Sequence, residues 1–129
     1  MELQTLRSKI YEIRQQQVLL DFDLSDELYE TETRALKQAV NRNIERFPEE
    51  FMFQLSKLEW QELITNCDKL PKSIKFSPQS PFAFTEQGVA MLSTVLKSKK
   101  AIETNISIMR AFVEIRKKID IESSLSKQI

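Results

Sequence analysis

The chain has 129 residues with 19 basic and 19 acidic side chains, and a net charge of zero argues against a nonspecific nucleic-acid coat protein. Its 41% hydrophobic and 29% charged content is that of an ordinary soluble globule, and its length suits one domain burying roughly two-thirds of its unfolded surface. One Cys and no His exclude a disulfide framework within one chain and the usual zinc ligand sets.

The opening MELQTLRSKIYEIRQQ has no apolar core of the length a signal peptide needs, and no run approaches the roughly eighteen apolar residues of a membrane span. A cytoplasmic protein is therefore expected. Ile10 to Phe22 reads as two short strands, KIYEI and QVLLDF, joined around Arg14 to Gln16. A helix beginning at Met1 competes for the first of them, because Leu3, Leu6, Ile10 and Ile13 also fit a helical stripe. Asp23 is placed to cap a short helix, Leu24 to Tyr29, by accepting a bond from a free backbone amide, and Thr31 or Thr33 can cap the next one.

That next helix, Thr33 to Phe47, is the stretch around which the chain is organised. Leu36, Val40, Ile44 and Phe47 recur at helical spacing and form one apolar face. The other face carries Arg34, Lys37, Gln38, Asn41, Arg42 and Arg46, with Glu45 as its only acid. Arg42 and Arg46 stand four apart, a pairing that a merely solvated helix avoids because it repels by about 0.2–0.5 kcal/mol. Arg, Asn and Gln are also the side chains whose forked donors and acceptors match guanine and adenine edges in the major groove. The zero net charge hides this patch, since Asp21 to Glu32 holds six acids and no base while Thr33 to Arg46 holds four bases and one acid. Two helices separated by a few residues, the second basic and amide-rich, are the arrangement of a helix-turn-helix.

Pro48 is expected to end this helix. Phe51, Phe53 and Leu55 then alternate with Met52 and Gln54 as a half-buried strand, and Ser56 with Glu59 forms a capping box that opens a helix bearing Trp60, Leu63, Ile64 and Cys67. Asp68 to Pro81 is a loop with three prolines, where Lys72 and Lys75 could lie along a phosphate backbone as a wing, although a plain solvated loop is the commoner reading of the same residues. Phe82 to Phe84 is a short strand, and Thr85 starts a helix to about Leu96. Ser98 caps a last helix, roughly Lys99 to Ile119, with two apolar stripes: Ile102, Ile106, Met109 and Val113, and beside it Ile108, Phe112, Ile115 and Ile119. A face that wide is expected either to pack across the whole domain or to supply a dimer contact.

These residues resemble a phage domain family, the ORF-six N-terminal domain, related to the KilA-N and Bro-N domains of phages and large DNA viruses. The segments that carry the resemblance are VLLDFDL at 18–24, TRALKQAVNRNIERFPEEFMFQL at 33–55 and FAFTEQGVAMLSTVLKSKKAIETNISIMRAFVEIR at 82–116. The resemblance implies a DNA-binding module of phage antirepressor-like and prophage-encoded regulators, and no enzyme. The chain departs from the family pattern where Gln15 and Glu30 replace glycines, and where one residue is added near Asp26.

The expected fold is therefore α+β and mostly helical: a helix-turn-helix of winged-helix-like kind, with short strands near residues 10–22, 51–55 and 82–85. Residues 1–120 would form a single DNA-binding domain and 121–129 a polar tail. Arg34, Gln38, Asn41 and Arg42 are the expected base-facing set, Lys37 and Arg46 the phosphate set, and Lys72 and Lys75 the wing contacts. Double-stranded DNA is the expected partner; a second copy or a repressor protein meeting the last helix is the alternative. No cofactor is expected. Asp21 and Asp23, with Asp26 and Glu27, suggest a magnesium site only weakly, because helix capping and helix-dipole roles already account for them. Cys67 sits on an apolar stripe as an inert thiol, and nucleophilic catalysis would lack its commonest base without His.

Overall fold

The computed structural model describes residues 3–66, 70 and 79–127. Both readings of the N-terminal segment are realised in part: Leu3–Arg7 forms a short helix (α1), and Ile10–Ile13 (β1) and Gln16–Leu20 (β2) form a hairpin. Ile13 pairs with Gln16, which leaves a two-residue turn of Arg14 and Gln15. Their φ angles of 55° and 62° are the left-handed pair that suits the twist of a tight hairpin and that Asn and Gly usually supply.

The second strand stops at Leu20 rather than Phe22, and the chain curls at Asp21 into Asp23–Leu28 (α2). This segment is a π-helix, closed by Tyr29 N–H donating 2.7 Å to the Leu24 carbonyl. A π-turn holds one more residue than an α-turn. Asp23 therefore lies inside the helix and buried, not at its cap; the N-cap is Phe22, with no side-chain bond. Glu30 then takes a φ of 53°, and Thr31 N–H donates to the Ser25 carbonyl to close the turn.

The helix Thr33–Arg42 (α3) follows, with Glu32 at its N-cap and no capping side chain, so neither Thr31 nor Thr33 plays that part. Thr33 instead meets Ser25 hydroxyl to hydroxyl at 2.6 Å, tying the two helices together across the turn. The helix is shorter than its apolar spacing predicts. Asn43 Nδ2 donates 2.9 Å to the Ala39 carbonyl, its backbone leaves the helical region, and Ile44–Arg46 continues as one turn of 3-10 helix. A short amide side chain that bonds nearby backbone competes with the helix ladder. The break comes before Pro48, leaves Ile44 half exposed, and swings Phe47 into the core, where it meets Phe84 edge to face.

Met52–Gln54 (β3) and Phe82–Phe84 (β4) complete an antiparallel sheet of order β1-β2-β4-β3. Its register sorts the side chains. Leu19, Phe84 and Met52 align across one face and pack with α1, α2, α3 and the two last helices, Glu86–Val95 (α5) and Lys99–Lys127 (α6). Leu20, Ala83 and Phe53 align across the other face beneath Phe22, Trp60 and Leu63, where Lys57–Asn66 (α4) covers them. The result is a mixed α/β domain with helices on both faces of one small sheet.

Local chemistry fixes the joints. The capping box forms as its residues foretell: Glu59 N–H donates 3.1 Å to Ser56 Oγ, and Ser56 N–H donates 2.8 Å to Glu59 Oε1. Thr85 Oγ1 accepts from the Gly88 amide at the start of α5, and Ser98 Oγ accepts from the Ala101 amide at the start of α6. Helix α6 continues to Lys127 instead of ending near Ile119, so helix replaces much of the expected polar tail. Of its two stripes, Ile108 and Phe112 enter the core, while Ile102 and Ile106 are 47% and 50% exposed. Two buried polar contacts seat it on α2: Thr104 Oγ1 donates to the Leu28 carbonyl, and the Tyr29 hydroxyl donates to Asn105 Oδ1.

Candidate nucleic-acid interface

Helix α3 is held from beneath by Leu36 and Val40, both almost wholly buried. Each contributes about 1.5–3 kcal/mol of apolar burial. At about 100° per residue that anchoring turns Arg34, Gln38, Asn41 and Arg42 outward together, and all four are exposed. Among the described residues none of the four is engaged in a hydrogen bond or ion pair. The base-facing set thus stands on one helix face as expected, with its donors and acceptors open to a ligand.

The expected phosphate set divides. Arg46 is exposed and lies beyond the helix, on the 3-10 turn, where Nη1 donates 3.1 Å to Thr94 Oγ1 of α5. Lys37 is only half exposed and sits 3.7 Å from the Asp21 carboxylate. Burial pushes the Asp21 carboxyl above its ordinary value, while the Phe82 amide, which donates 3.1 Å to Oδ2, and the Lys37 charge pull it back. Lys37 is therefore partly committed to the protein's own interior. Lys72 and Lys75 lie outside the described residues, as do Cys67 and most of the expected wing.

Among the described residues no acid ahead of α3 pairs with Arg34, Arg42 or Arg46. Asp21 and Asp23 are buried, and the side chain of Glu30 pairs with Lys100 of α6 at 3.6 Å. A cavity of about 220 Å³ opens beside α3, with Asp21, Lys37, Asn41 and Gln79 as its polar wall. Asp21 and Gln79 were not among the residues expected at the site. Asp21 carried a legible signal, an acid ending the apolar run VLL, whereas nothing local marks Gln79.

Among the described residues no cluster of three or more acid or thiol side chains could hold a metal ion. No described helix is long and apolar enough to cross a membrane. The family model described as the ORF6N domain matches residues 8–95. No curated protein and no solved structure matches the chain.

Proposed function

Since the chain belongs to the ORF6N domain family, we propose that it is a phage-type regulatory protein that binds duplex DNA sequence-specifically. Helix α2, the turn at Glu30 and helix α3 serve as a helix-turn-helix, with α3 laid in the major groove. One observation carries the reading: Arg34, Gln38, Asn41 and Arg42 share an exposed face and have no partner among the described residues. Their forked groups match guanine and adenine edges, and bonds of that kind specify sequence. Arg46 acts as a phosphate contact, and Lys37 does so only when it leaves Asp21.

Selection of bound duplexes from a random pool tests the proposal. A recovered motif supports it, and so does a weak salt-dependent shift of random duplex. With three exposed arginines contributing, log affinity should fall against log salt with a slope of about −2 to −3. No shift at any salt would overturn it. A second reading rests on the exposed Ile102 and Ile106 of α6: an antirepressor-like module that occupies a repressor protein through this helix. Stable complex formation with a repressor, without DNA binding, would select that reading.

A further inference from the structure

Helix α6 presents an apolar stripe that the fold leaves partly uncovered. Ile102 and Ile106 are about half exposed, and Met109 and Val113, half buried, continue the line. The four residues are spaced by four, three and four, the a/d repeat of a helix that packs on another helix. Ile102 and Ile106 lie away from the core-facing positions Ala101, Ile108 and Phe112, while Met109 also packs against the core at the stripe's edge. Lys100 and Thr104, which reach toward α2, stand on the far side of the same helix.

We propose that this stripe pairs antiparallel with the same stripe of a second copy of the chain. The charges flanking it identify the occupant. Glu103 and Arg110 border the stripe on its solvent side, seven residues apart; both are exposed, and neither is engaged in an ion pair among the described residues. An antiparallel two-fold placed between Ile106 and Met109 stacks Ile106 on Met109 and Ile102 on Val113 of the second copy. The same operation brings Glu103 of each copy opposite Arg110 of the other, so a single self-complementary patch satisfies two ion pairs. A parallel pairing would instead set Glu103 beside Ser98 and Arg110 beside Asn105 of the second copy, so neither charge would gain an opposite partner. The next layers outward are Lys99 and Arg116, the latter already held by Glu86 at 2.6 Å, and they confine the contact to two heptads. So short a contact lies at the small end of specific interfaces, and the dimer should dissociate on dilution. The proposal does not depend on the DNA-binding reading, because it uses another helix.

Sedimentation equilibrium on the full chain from about 1 to 100 μM, the range in which weak pairings dissociate, is the test. The expected result is a monomer at the low end and a dimer at the high end. Ile106→Glu should remain monomeric throughout with an unchanged circular dichroism spectrum, since the side chain is not in the core. Glu103→Arg and Arg110→Glu should each weaken association about tenfold at low salt, and the double swap should restore it. Monomeric wild-type protein at every concentration would overturn the proposal, whether or not the stripe then binds a different protein. A dimer indifferent to Ile106→Glu, or a double swap that fails to restore pairing, would overturn it too.

Discussion

The ammonium of Lys37 lies 3.7 Å from the carboxylate of Asp21, so a cation of the proposed reading helix is shared with the end of strand β2. The carboxyl is raised by burial, so its ionised form works against the fold. Its favourable contribution is present below the ordinary carboxylate value and is lost as pH rises through the raised one. Asp21→Asn keeps an acceptor for the Phe82 amide and releases Lys37. On the DNA-binding reading, affinity for random duplex should then rise severalfold and the salt slope should steepen by about 1. Fluorescence anisotropy at several salt concentrations measures both, and an unchanged slope would show that Lys37 does not reach phosphate.

A second pair, Arg14 and Glu59, fastens the hairpin turn to the start of α4. Arg14 Nε and Nη2 donate to the two carboxylate oxygens at 2.9 and 3.0 Å, and the guanidinium lies over the Phe53 ring. The Arg14 bond, with the capping-box amide, holds the Glu59 carboxyl down at about 2. For a lowered acid the stability is present above the ordinary value and is lost as pH falls toward 2. Partial exposure of the pair screens it, and Glu59→Gln should cost about 1–2 kcal/mol at pH 7, capping included. Urea unfolding should show that deficit narrowing steadily below about pH 4.5, the ordinary range of a free glutamate. A constant deficit at all pH values would assign the loss to packing instead.

Two turns carry left-handed residues with side chains, Gln15 at φ 62° and Glu30 at φ 53°. The same two positions are where the chain departs from the glycines of its family pattern. A non-glycine residue there is strained by about 1 kcal/mol. Gln15→Gly and Glu30→Gly should each stabilise the domain by about 0.5–1 kcal/mol, less the greater freedom glycine gives the unfolded chain. Glu30→Gly also removes the exposed pair with Lys100, which offsets little. Thermal melts would check both, and a lowered midpoint for either would mean that its side chain holds the turn in a way the geometry does not reveal.

What the sequence made legible was local. The Ser56–Glu59 box and the Thr85 and Ser98 caps depend on residues a few positions apart, and each forms as read, whereas the strand is cut to Met52–Gln54 and Met52, expected on its outer face, packs against the core. The end of α3 was not legible, because Ile44 fits the helical stripe as well as Leu36 does, and only the Asn43 side chain decides the matter. Asp23 could equally cap or be buried; the π-turn, which depends on the whole α2 segment, buries it. The restraint on Lys37 was hidden for a different reason. Its partner Asp21 is sixteen residues away and is placed by the pairing of β2 with β4. The exposed face of Arg34, Gln38, Asn41 and Arg42 was readable, since periodicity alone sets it opposite Leu36 and Val40.

Gly88, the single glycine of the chain, is needed for space and not for backbone freedom. A Cβ built there would stand 2.0 Å from the Phe51 carbonyl oxygen. That oxygen also accepts from the Thr85 amide, so it cannot withdraw without loosening the junction of β3, β4 and α5. Gly88→Ala should therefore destabilise by about 2 kcal/mol or more, despite the better helix propensity of Ala. Chemical denaturation would show it, and a neutral or stabilised variant would mean the strand moves more freely than this packing allows.

Asn41 and Arg42 are neighbours on the exposed face of α3, and the proposed function assigns both to base readout. An Asn bidentate to adenine contributes about 1–3 kcal/mol of discrimination but carries no charge. Asn41→Ala should therefore reduce affinity for the selected duplex about 5- to 100-fold, leave affinity for random duplex unchanged, and keep the salt slope. Arg42→Ala should reduce both affinities and flatten the slope by about 1, because its charge counts on any sequence. Neither residue supports the fold, so unfolding midpoints should stay within about 0.5 kcal/mol of the parent. Competition binding with both duplexes, at two salt concentrations, separates the two behaviours. Equal losses on both duplexes for Asn41→Ala would take it out of the readout set and place the specificity on Arg34, Gln38 and Arg42.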